Sequence, residues 1–134
     1  MPETLSNRRG PAMLSLLRAV SALIFLLHGS QKLFAFPPTD HQPPLLSLLG
    51  LGGVLEFVGG LLLLIGFCTR PVAFLLSGMM AVAYWKFHAP QGLFPTLNGG
   101  DAAILYCFVF LYIAVAGGGS IGVDAARRAQ GPAF

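Results

Sequence analysis

Residues 45–70 read LLSLLGLGGVLEFVGGLLLLIGFCTR, an apolar run with a single acid, Glu56, at its middle. About 20 apolar residues cross the hydrocarbon core of a bilayer as a helix. A soluble helix of this length would carry a polar face, and this stretch has almost none. Gly52, Glu56, Gly59, Leu63 and Gly66 follow in steps of four and three, which puts them on one helix face. Small residues on such a face let a second helix come close in lipid. Glu56 is therefore expected to point at protein rather than at acyl chains. A charged residue at mid-membrane costs roughly 2.5–3.5 kcal/mol on insertion scales and reads by default as functional. The competing reading is a structural acid that pins helix packing.

Composition agrees with a membrane chain. Only 10% of the 134 residues are charged, against about 25% in soluble domains, and the mean hydropathy is +0.75. The net charge of +3 comes from basic residues in short flanks and loops. These are topology signals before they are a nucleic-acid surface, so no nucleic-acid partner is expected. Cys68 and Cys107 form no C-x-x-C pair and fall at different depths, so they read as packing thiols. The first apolar run lacks a small-residue cleavage site and reads as a retained helix.

The expected fold is all-α: one bundle of four transmembrane helices with short loops. The spans fall at about 13–34, 45–66, 71–88 and 102–117, within a domain over 13–119. A polar tail over 1–12 precedes it, and a tail over 120–134, with little to pack against, follows. Arg18, Ser21, Phe25, His28 and Lys32 make one face of the first span, which Pro37 and Pro38 end. Lys32 taken alone reads as a snorkelling residue; His28 sits deeper. The turn after Gly66 is very short, so the second and third spans are antiparallel neighbours, and Pro71 suits a first helical turn. Tyr84, Trp85 and Lys86 read as an interfacial belt. Asp101 lies at or near the N-cap of the fourth span, where a carboxylate suits the free amides.

Four spans put both termini on one side. That side collects Arg8, Arg9, Arg18, Arg70, Arg127 and Arg128, and the other has Lys32 and Lys86. The bias predicts that both termini are cytoplasmic. At about 1.5 Å per residue, His28 then lies roughly 7 Å and Lys32 roughly 13 Å outside the centre of the first span. Lys86, His88, Asn98 and Asp101 also gather at the outer end. The polar set His28, Lys32, Glu56, His88, Asn98 and Asp101 thus points to a pocket in the outer half of the bundle. There Glu56 needs a partner, with His28 the nearest in depth and Lys32 second. A His–Glu pair suits a small polar ligand, a proton relay or a quinone carbonyl. No metal spacing motif supports a metal site, and none of the usual soluble-enzyme motifs occurs.

Several elements together resemble the DoxX family of small four-helix bacterial membrane proteins. They are LLHGSQKLF over 26–34, LEFVGGLLLLIGFCTRPVAFLLSGMMAVA over 55–83, His88, NGGDAAILY over 98–106 and GGGSIGVD over 117–124. Many relatives carry Glu where this chain has Asp101, and their closing G-P-G-x-x-S-x-D is GGGSIGVD here. The resemblance implies a four-helix bundle in the plasma membrane. It also implies a link to a thiosulfate:quinone oxidoreductase and to thiol-stress complexes, with quinone as the cofactor to consider and oxidoreductase subunits as partners beside the bilayer. Three functions stay open: a membrane subunit of a quinone- or thiol-linked redox system, a structural or assembly protein without chemistry of its own, and a small proton-coupled transporter that would need a second copy. The first two rank together, and no independent catalysis is signalled.

Overall fold

The structure is a computed structural model that describes residues 5–131. Among these it is all-helical: α1 (Leu5–Phe34), α2 (Leu48–Ile65), α3 (Thr69–Ala83), a one-turn α4 (Pro95–Asn98), α5 (Asp101–Ala116) and α6 (Val123–Ala129). Three helical stretches are long and apolar enough to cross a membrane, Arg9–Phe34, Leu48–Ile65 and Thr69–Gln91, and Asp101–Ala116 is apolar but shorter.

The two largest interfaces are α1 on α2 and α3 on α5. Their shared core is fully buried: Ala22 and Phe25 of α1, Leu63 of α2, Ala73 and Leu76 of α3, and Phe110 and Ile113 of α5. Phe25 meets Phe110 edge-on at 4.9 Å between ring centroids, a favoured aromatic geometry that ties the two pairs together. Large apolar side chains such as Ile24, Leu61, Phe74, Val82 and Phe108 face outward. In water that outer surface would be costly, and in lipid it is not.

The glycines divide differently from the stripe read in the sequence. Gly53 and Gly60, not Gly52, face α1: a Cβ on Gly53 would lie 2.8 Å from Lys32 Cβ, and one on Gly60 2.9 Å from Leu26 Cβ. Gly59 faces Leu76 of α3, and Gly52 has nothing within 4 Å. Two interfaces on adjacent sides of α2, rather than one, explain the split. Gly66 ends α2 in the left-handed region (φ 73°) while its amide and that of Phe67 cap the last carbonyls.

The ends are more ordered than the sequence suggests. Of the tail expected over 1–12, residues 1–4 lie outside the described part, and α1 is already helical from Leu5. The Pro11 carbonyl accepts the Ser120 amide at 3.3 Å, so this first part of α1 is held by the other end of the chain. The tail expected over 120–134 holds a short helix, α6, and, unlike the expectation, has partners to pack against; its residues 132–134 again lie outside the described part. Ser15 Oγ bonds the Gly118 carbonyl at 3.0 Å and accepts the Ile121 amide at 3.0 Å. Arg18, 4% exposed, donates to the carbonyls of Gly118 and of Ile121. Arg70 donates to Val115 O at 2.6 Å. Arg18 and Arg70, read as topology signals, are thus also clamps on the carbonyls that end α5.

Asp124 of α6 accepts the amides of Cys68 (3.0 Å) and Thr69 (2.9 Å), satisfying free donors at the start of α3. Partial burial pushes its carboxyl up, but the Thr69 and Cys68 amides and the nearby Arg128 outweigh that and hold it below the usual carboxylate range. The stabilisation is therefore complete at neutral pH and is lost as pH falls below about 4, through the lowered value. Wild type should melt higher than Asp124→Ala in detergent at pH 7, and that advantage should shrink as pH is lowered toward 3. A constant difference across that range would show that the charge of Asp124 is not what caps α3. Cys68 itself is exposed at the turn and Cys107 half-buried; both are free thiols. The short turn leaves the Cys68 side chain outside the core that a packing thiol would need.

Candidate functional site

Three glycines create the site by removing bulk between α1 and α2. A Cβ on Gly29 would sit 2.5 Å from the Phe57 amide nitrogen and 2.7 Å from the Gly53 carbonyl. With Gly29, Gly53 and Gly60 in contact, Lys32 lies along α2 and its Nζ reaches both Glu56 carboxylate oxygens, at 2.6 and 2.7 Å. This corrects two expectations. Lys32 turns inward to an ion pair instead of snorkelling, and Lys32 rather than His28 is the partner of Glu56. The reason is rotational: the α1 face that meets α2 carries Leu26, Gly29 and Lys32, whereas His28 faces α5 and meets Tyr106 edge-on at 6.2 Å. Glu56 is 5% exposed, and Lys32 keeps 29% of its side-chain surface.

The pair stands in the wall of a cavity of about 460 Å³ between α1, α2, α3 and α5. Most of the wall is apolar, including Phe25, Met79, Met80, Val82 and Phe87. Its polar members are Lys32, Glu56, His28, His88, Gln91 and Tyr106. An apolar chamber of this size with a few convergent polar groups is the usual form of a small-molecule site. A second, more polar hollow of about 640 Å³ lies under the first loop, lined by Gln31, Thr39, Asp40, His41, Gln42 and Ser47 among others. Lys32, Leu48 and Leu49 line both, so Lys32 stands at their junction.

His88 enters the wall from an irregular segment. After Ala83 the third helix widens into a π turn, Tyr84–His88, followed by a 3-10 turn, Ala89–Gln91. The sequence reading treated residues 89–100 as plain loop, but they hold this turn and α4. Asn98, 4% exposed, knits the segment together: its side chain donates to the Gly92 carbonyl (3.0 Å) and toward Tyr84 Oη (3.4 Å), and accepts the Gly100 amide (2.8 Å).

Of the six residues singled out in the sequence, His28, Lys32, Glu56 and His88 share the cavity wall. Asn98 works behind it, and Asp101 is exposed at the first residue of α5, accepting the Ala102 amide at 3.0 Å. Tyr106 is the member that sequence reasoning left without a role. Its signal was present: Ala102, Ala103 and Tyr106 share one face of α5, two small residues beside a ring with a polar tip. No group of three His, Cys, Asp or Glu side chains comes together as a metal site among the described residues.

Long apolar helices, an outward apolar surface and an open pocket with polar members between the helices define a helical membrane protein. The chain belongs to the DoxX family: the DoxX family model matches residues 13–89. An uncharacterized protein of Haemophilus influenzae (strain ATCC 51907 / DSM 11121 / KW20 / Rd) is 41% identical over 124 residues, covering 85% of this chain and 90% of the relative. No solved structure matches the chain.

Proposed function

We propose that this DoxX protein is a four-span protein of the bacterial inner membrane, with both termini cytoplasmic, that serves as membrane subunit of a quinone- or thiol-linked redox system. The cavity carries the reading: an ion pair, two histidines and a tyrosine stand in an otherwise apolar chamber at one end of the bundle. A quinone head is an apolar ring with two opposed oxygens, and the wall suits it in size and in the spread of its polar groups. Such a ligand would supply two-electron, two-proton chemistry when bound. Lys32 and His28 would hold its oxygen atoms, and Phe25, Phe87 and the methionines would keep water from its ring. The orientation is supported by the gathering of Arg18, Arg70 and Arg128 on the carbonyls at one end, with Lys32 and Lys86 toward the other.

The experiment is native mass spectrometry of wild type and Glu56→Gln purified in mild detergent. Wild type should carry a quinone-sized ligand that the variant loses while keeping its helical content. Wild type purified bare from quinone-containing membranes would defeat the redox reading. The structural reading keeps one observation in its favour: Lys32 and Glu56 already satisfy each other across α1 and α2.

A further inference from the structure

The π turn fixes more than the position of His88. Its Nδ1 lies 3.1 Å from the backbone carbonyl of Asn98. A carbonyl oxygen only accepts, so Nδ1 must be the protonated nitrogen. In the neutral imidazole the other nitrogen, Nε2, is then a bare acceptor. No described group bonds Nε2, and His88 lines the cavity. The clamp is built to last. The Asn98 side chain is buried and bonded on three sides. Tyr84 stacks on the imidazole at 6.4 Å. The Gly100 backbone packs close against this segment, since a Cβ there would lie 2.8 Å from His88 Cβ and 2.6 Å from the Tyr84 ring. Reversing the tautomer would face an N–H away from a carbonyl that has lost its donor, in a half-buried place.

We propose that His88 Nε2 is the acceptor for a ligand hydroxyl, so that the cavity selects a dihydroxy aromatic head, the reduced quinol, over the oxidised quinone. A quinone carbonyl would meet the Nε2 lone pair with its own, whereas a quinol hydroxyl donates into it. The proposal rests on the quinone reading of the cavity, and it assigns His88 the discrimination between the two forms.

The test is titration of the purified full chain in detergent, without oxygen, with decylubiquinol and with decylubiquinone, for wild type and His88→Phe. Wild type should bind the quinol about tenfold more tightly, the size of one well-made hydrogen bond. His88→Phe should lose that preference by weakening for the quinol alone. Equal affinity for both forms in wild type overturns the selectivity and leaves the quinone reading standing; binding of neither overturns both. Nitrogen-15 NMR of the imidazoles in wild type gives a readout that does not depend on a folded variant. His88 should show a protonated Nδ1 and an unprotonated Nε2, and a protonated Nε2 with a bare Nδ1 would overturn the proposal.

Discussion

Lys32→Met should destabilise the bundle more than Glu56→Leu does, although both break the same ion pair. Removing one partner of a buried pair typically costs 3–5 kcal/mol, because a charge is left without compensation. The two charges left behind are not in the same position. Glu56 is 5% exposed in the middle of α2, and Lys32 is its one hydrogen-bond partner among the described residues. Lys32 stands where the chamber and the loop-lined hollow meet, and its four-carbon stem can swing toward Asp40 and the polar groups there. The expected losses are about 3 kcal/mol for Lys32→Met and about 1 kcal/mol for Glu56→Leu. The double variant should fall between wild type and Lys32→Met, since an apolar pair leaves no buried charge. Unfolding in mixed micelles with increasing SDS measures all three. Equal losses for the two single variants would mean that Lys32 has no second resting place.

Gly29→Ala should be the most damaging single methyl at the α1–α2 contact. Its Cβ would fall on backbone atoms of α2, the Phe57 nitrogen and the Gly53 oxygen, which cannot rotate away as a side chain can. The helices must separate, and separation also draws Lys32 from Glu56. Overpacking costs typically 1–3 kcal/mol, and the upper end is expected here. Gly78→Ala is the control: it lies mid-helix in α3, exposed, with nothing within 4 Å of its added Cβ. That change should be neutral or slightly stabilising, as Ala replaces Gly in a helix. The same SDS titration checks both, and a Gly29→Ala protein as stable as Gly78→Ala would show that the α1–α2 contact is looser than this geometry.

The helices were legible because lipid imposes one requirement on long stretches: apolar side chains outside, backbone bonds satisfied within. Residues 45–70 carry that pattern whatever they pack against. Pairing was harder. Choosing between His28 and Lys32 for Glu56 needs the rotation of α1 about its axis, which Gly29 and Gly53 set by contact, and depth along a span says nothing of rotation. Gly59 and Glu56 of the stripe are buried as read, but Gly53 and Gly60 were missed for the same reason: Gly52 and Gly53 are neighbours in sequence but about 100° apart around a helix of 3.6 residues per turn. The irregular end of α3 left no periodic trace at all. The bonds that hold its π turn, among Asn98, Gly92, Gly100 and Tyr84, are specific pairings within residues 84–100 that leave no hydrophobic period to read.

Arg18 gives the chain a dependence on its own order of synthesis. The guanidinium sits inside the first long apolar helix, yet its acceptors are the carbonyls of Gly118 and Ile121, about a hundred residues later. A chain emerging from the ribosome N-terminus first offers this cation neither of these carbonyls until about a hundred further residues have been made. Until then the guanidinium in α1 lacks the two acceptors it has in the folded chain. The segment over 118–121 therefore acts as a clasp on α1 that closes only after α2, α3 and α5 have been made.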